Sequence, residues 1–169
     1  LCSHLTDAYM SNCHPRILLW ICDSNDIPCE KLRSFIADRE AVYRAIMEAK
    51  AAFHAESAEE QRSDAKTTVL AMMNDEQPLD PEGRYPFPPI VRELDTEFKT
   101  LQVKVCSLEA YADLETSARD HKVTVGRDGR AETKYNKLGS WLNLILCIHE
   151  NDMVNTAREY MMTTHDIET

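Results

Sequence analysis

Six histidines and six cysteines are the side chains of this chain best suited to hold a metal or act as nucleophiles. Their spacing argues against both roles. His149-Glu150 opens like the His-Glu-x-x-His helix of zinc peptidases, but residue 153 is Met where the second imidazole must stand. No Glu-x-x-His occurs, so the paired carboxylate–imidazole sets of di-iron bundles are not written here. His4, His14, His54, His121 and His165 are scattered singly. No Cys-x-x-Cys exists to build a zinc ribbon or a thioredoxin-like motif.

Acyl-transfer and phosphate chemistry fare no better. Gly-x-Ser-x-Gly is missing, and Gly126-Arg127-Asp128-Gly129 lacks the Gly-Lys-Ser/Thr or third glycine of a phosphate loop, so it reads as a turn. Acidic residues such as Glu56, Glu59, Glu60 and Asp75-Glu76 read as a solvated face rather than as acid–base pairs. The residues therefore imply no catalysis, no cofactor and no resident metal. An enzyme ranks last among the function classes.

What remains is recognition. Binding hot spots favour Trp, Tyr and Arg. On the last long apolar pattern these are Trp141, Arg158 and Tyr160. Trp141 shares the apolar seam with Leu138 and Ile145, so burial competes with binding there. Arg158 and Tyr160 stand among Asn155, Thr156 and Glu159, where a solvated arginine competes with a partner anchor. The seven methionines read first as core filler, with Met72-Met73 and Met161-Met162 as an alternative adaptable surface.

The elements that must position these residues are helical. The chain has 169 residues, 43% hydrophobic and 28% charged, which fits one soluble globular domain over residues 1–169. Four glycines leave few tight turns, which favours a small number of long elements. Residues 134–162 carry Leu138, Trp141, Leu142, Ile145, Ile148, Met153, Ala157, Tyr160 and Met161 mostly three and four apart, a helix of about eight turns. Residues 90–121 repeat the pattern through Val91, Leu94, Phe98, Leu101, Val105 and Leu108. Residues 29–56 form a third helix, which Asp26 caps and Pro28 opens.

Between these lie weaker segments. Residues 1–9 suggest a short helix, and Pro15 starts another over residues 16–22. Residues 57–66 are either a solvated stretch of helix or a loop, and an apolar face resumes over residues 67–73. Five of the seven prolines fall in residues 74–89, a crossing loop that Tyr85 and Phe87 can pack. Residues 122–133 fit a small hairpin or an ordered loop. The architecture that buries such helices is an all-α four-helix bundle with a Pro-rich crossing loop and a short turn or hairpin before the last helix.

A net charge of −10 with no basic cluster excludes the usual phosphate-neutralising nucleic-acid surface and disfavours an anionic membrane. It leaves room for a partner with a basic rim. No apolar run reaches membrane-spanning length, and residues 17–21 are too short for a signal core. A chain that starts at Leu1 is expected to be a processed or trimmed form, or part of something longer. The six cysteines, four within the first 29 residues, suit three disulfides in a secreted protein. The competing reading makes Cys106 and Cys147 small buried hydrophobes.

The last pattern carries a resemblance. Lys137-Leu138, residues 142–149 and residues 153–161 resemble the fourth helix of long-chain four-helix cytokines, nearest the alpha subunit of heterodimeric interleukins in the interleukin-six group. Glu97-Phe98-Lys99-Thr100-Leu101 is similar to a stretch of that subunit. The resemblance implies a secreted bundle with up-up-down-down connections that signals by binding a receptor or a beta subunit, with Arg158 at the arginine that enters the partner's pocket. The alternative, from a different class, is a self-assembling α-helical structural or scaffold protein, cytoplasmic or in a virion. The order of helix, hairpin and final helix is also similar to small phage packaging subunits.

Overall fold

A computed structural model describes residues 13–51, 57–74, 87–120, 124–125, 131–132 and 136–165. The expected helix over residues 1–9, Tyr85, the turn at residues 126–129 and most of the Pro-rich segment lie outside them. Among the described residues the chain is all-α apart from a two-residue ladder. Its helices are α1 (Cys13–Ser24), α2 (Glu30–Ala37), α3 (Arg39–Ala51), α4 (Ala58–Met73), α5 (Pro89–Cys106), α6 (Leu114–Asp120) and α7 (Lys137–His165). The strands β1 (Thr124–Val125) and β2 (Ala131–Glu132) pair antiparallel, Thr124 opposite Glu132 and Val125 opposite Ala131. The hairpin alternative for this segment is thus the one observed.

Seven helices lie among the described residues, and two of the long helices expected from the sequence are each broken in two. The pattern over residues 29–56 divides at Asp38, whose backbone leaves helical geometry. Asp38 Oδ1 then accepts from Ala41 N at 3.2 Å and starts α3. The pattern over residues 90–121 stops at Cys106. Leu108 is extended, Glu109–Tyr111 form a single 3-10 turn, and α6 follows. Neither break contains Gly or Pro.

The start of α2 also differs from expectation. Asp26 does not cap it; with φ at 54° it occupies the left-handed region and closes α1 instead, in a turn where Ile27 N bonds Cys22 O. Pro28 precedes the helix rather than opening it. The orphan amides of α2 are met from another helix: Glu97 of α5 accepts from Lys31 N at 3.1 Å and Leu32 N at 2.6 Å. At α4 the local signal suffices. Ser57 and Glu60 form a reciprocal capping box, so residues 57–66 belong to the helix.

One core joins α1 to α5 and the first half of α7, with Phe35, Phe98, Leu18, Ile46, Leu101 and Leu142 fully buried. Phe87 packs against it from the end of the Pro-rich segment. Two side-chain amides hold the carboxyl end of α4: buried Gln102 donates to Met73 O at 2.8 Å, and Asn136 donates to Asn74 O at 2.6 Å. Across α3 and α4, Lys50 Nζ reaches Asp64 at 2.6 Å and Thr68 at 3.0 Å.

All five described cysteines (Cys13, Cys22, Cys29, Cys106, Cys147) are free thiols, and Cys2 lies outside the described residues. The expected disulfide framework is therefore not what holds this fold. Cys22, Cys29 and Cys106 pack as small core residues instead. Burial pushes the Cys22 and Cys106 thiols up to about 12.

Candidate partner-binding groove

The apolar stripe of α7 outruns the core that covers it. Through Trp141, Leu142, Ile145 and Leu146 it is buried, whereas residues 151–164 are exposed throughout. At 1.5 Å per residue the exposed part is roughly 20 Å of helix. Met153, Ala157, Tyr160, Met161 and Thr164 continue the same face at three- and four-residue steps.

On the buried side of this transition α1 lies against α7. Trp20 of α1 meets His149 edge-on, with ring centroids 5.1 Å apart, and Tyr111 meets the same imidazole from another side at 5.8 Å. Tyr111 Oη and His149 Nε2 share a hydrogen bond of 2.8 Å. Beyond this aromatic cluster the two helices enclose a groove of about 950 Å³. Ile17, Trp20, Met153, Ala157, Tyr160 and Met161 supply its apolar lining, and Arg16, His149, Asp152 and Thr156 its polar one. Tyr160 is 62% exposed and Trp20 55%. Of the eight large hydrophobic residues exposed among the described residues, four (Trp20, Met153, Tyr160 and Met161) line this one groove.

The three residues expected to bind a partner are treated differently by the fold. Tyr160 lines the groove. Arg158 is exposed on the same half of α7 but is not part of the lining. Trp141 is buried to 8% exposure, and its indole Nε1 donates to Tyr111 O at 3.0 Å. It serves the core and the seat of the 3-10 turn, the burial that competed with binding in its sequence pattern. Trp20 lies in the apolar run of residues 17–21, where its residue type alone does not mark it as a binding residue. Of Met161-Met162, Met161 faces the groove, whereas Met72 and Met73 are core.

A second constellation stands where α1 begins. His14 Nε2 lies 3.1 Å from Glu150 Oε2 and 4.0 Å from Cys147 Sγ. The three ligand atoms fall within 4.8 Å of one another. The Cys13 thiol stands near enough to the same Glu150 carboxylate to feel its charge. Burial first, then Glu150, pushes the Cys13 thiol up to about 11; the same two causes raise that of Cys147. No sequence motif announces this set, because His14 and Cys147 are 133 residues apart.

No family model, curated protein or solved structure matches this chain. No described helix is long and apolar enough to cross a membrane.

Proposed function

We propose that this chain is a protein-binding module whose groove between α1 and the outer half of α7 receives an amphipathic helix from a protein partner. The observation that carries the reading is the continuation of the α7 apolar stripe, helical and uncovered, past the end of the core. Helix-in-groove recognition uses anchors at three- and four-residue spacing against such a surface, and methionines suit it because their side chains adapt. The net charge of −10 selects a partner helix whose apolar face is flanked by Lys and Arg.

A cytokine-like ligand is the finer form of this reading. The exposure of Arg158 and Tyr160 on α7 supports it. The five free thiols lend nothing to its secreted, disulfide-bonded setting.

The test is a titration with a synthetic Leu/Lys amphipathic helical peptide, read by Trp20 fluorescence, with a non-amphipathic Lys/Ser peptide of equal charge as control. Saturable binding by the amphipathic peptide alone, with blue-shifted emission, is expected, and Met161→Asp should weaken it at least tenfold without lowering the melting temperature. Equal binding of both peptides, or no effect of Met161→Asp, refutes the reading. A stable dimer by light scattering that Met161→Asp dissociates assigns the groove to a second copy and also refutes it.

A further inference from the structure

We propose that Cys13, His14, Cys147 and Glu150 form a binding site for a zinc-class divalent transition metal that staples the start of α1 to the middle of α7. The argument begins with placement. Cys147 and Glu150 are three residues apart on one helix, so their side chains leave the same face as neighbours. Cys13 and His14 begin the helix packed against that face. A thiol, an imidazole and a carboxylate thereby converge from distant parts of the chain, and a second thiol adjoins the carboxylate.

The distances fit a tetrahedral ion. Zinc bonds of about 2.0–2.3 Å to N, O and S place neighbouring ligand atoms roughly 3.3–3.8 Å apart. The His14–Glu150 separation of 3.1 Å and the Cys147–His14 separation of 4.0 Å bracket that edge, and all three ligand atoms lie within 4.8 Å of one another, so side-chain adjustment closes them on one ion. Cys13, adjacent to His14 in the chain and near Glu150, is the candidate for the fourth corner.

The donor chemistry selects the ion. Two thiolates and an imidazole are soft or borderline ligands, which suits zinc and excludes magnesium or calcium, whose sites are built from oxygen. Four protein ligands close the coordination sphere, so the site is structural rather than one that activates water. Binding releases the protons of both thiols, since the thiolate is the ligand.

The proposal is tested on the full chain, reduced and stripped with chelator, then titrated with cobalt(II) and competed with zinc. One equivalent of cobalt should give the ligand-field bands of a tetrahedral ion together with thiolate-to-cobalt charge transfer in the near ultraviolet. Zinc should bleach both and raise the melting temperature. His14→Ala and Cys147→Ser should each weaken binding at least a hundredfold, and Cys29→Ala, at a buried core thiol outside the cluster, should leave it unchanged. A wild-type chain without the cobalt spectrum overturns the proposal whatever the variants do. So does undiminished affinity in His14→Ala or Cys147→Ser. Full affinity in Cys13→Ser overturns the closed four-ligand form.

Discussion

Gly139 is the third residue of α7, and replacing it with alanine sets two well-known effects against each other. In an exposed helix the exchange stabilises by about 1 kcal/mol, because glycine is the poorer helix former. Here an ideal Cβ would lie 1.8 Å from the carbonyl oxygen of Asn74, 2.5 Å from its carbon and 2.8 Å from Asn136 Nδ2. Carbon and oxygen need roughly 3.3 Å even in their closest weak contacts, so the end of α4 and the start of α7 must part by roughly 1.5 Å.

That movement breaks the 2.6 Å hydrogen bond from Asn136 to Asn74 O. It also disturbs Asn136 as the cap of α7, where its Oδ1 accepts from Gly139 N at 3.0 Å. Losing the bond costs about 1 kcal/mol, and overpacking a close contact costs about 1–3. After the propensity gain, Gly139→Ala should destabilise by about 2 kcal/mol. At this chain length that is about 4–8 °C of melting temperature, or about 1 M in urea midpoint. Urea unfolding followed by circular dichroism measures it. Asn136→Ala isolates the hydrogen-bond part, about 1–2 kcal/mol, because it removes both bonds without the clash. An unchanged or raised midpoint for Gly139→Ala would show that helix propensity governs the site and that the helices are not in backbone contact there.

Two further outcomes follow from the packing. Glu97→Ala should lower stability by about 1–2 kcal/mol, since it strips both acceptors from the start of α2, and the amides of Lys31 and Leu32 should exchange faster; equal exchange in both proteins would show that α2 does not depend on this cap. Stability should also fall in alkali. The Cys22 and Cys106 thiols rise from 9.0 unfolded to about 12 folded, so their contribution is complete below pH 9 and is lost as pH climbs toward 12. Each adds a slope of about 1.4 kcal/mol per pH unit in that window. Urea midpoints across it should drop less steeply for Cys106→Ala, and an identical slope would remove Cys106 from the effect.

What could be read from the chain and what could not divide along sequence distance. Local rules placed α5 and α7 through apolar spacing, put Pro15 in the first turn of α1, and allowed a hairpin before α7. The Ser57–Glu60 capping box was equally local, yet the alanine-rich polar run after it masked the helix it starts. The breaks at Asp38 and after Cys106 escaped because neither carries Gly or Pro. After Cys106 tertiary contacts outweigh helix continuity: turning the chain at Leu108 brings Tyr111 to both His149 and Trp141. The binding face was half legible. Tyr160 and Arg158 could be chosen by residue type, but Trp20 becomes part of a groove only when α1 lies on α7. The Cys13–His14–Cys147–Glu150 cluster is wholly non-local, so spacing within the chain could not reveal it.

The outer half of α7 also has an energetic logic. A separate peptide of fourteen residues would be a marginal helix in water, because nucleation is costly. Here the buried first half of α7 supplies the nucleus, so residues 151–164 extend an existing helix at little cost per residue. Their apolar side chains meanwhile forgo burial, at roughly 25 cal/mol for each Å² left in water. A preformed helix spares a partner the ordering entropy that a disordered segment would require on binding. The contact of His14 with Cys147 and Glu150 sits one turn before the groove and adds to the core packing of Leu18 and Ile21 and the Trp20–His149 contact, which hold α1 on α7.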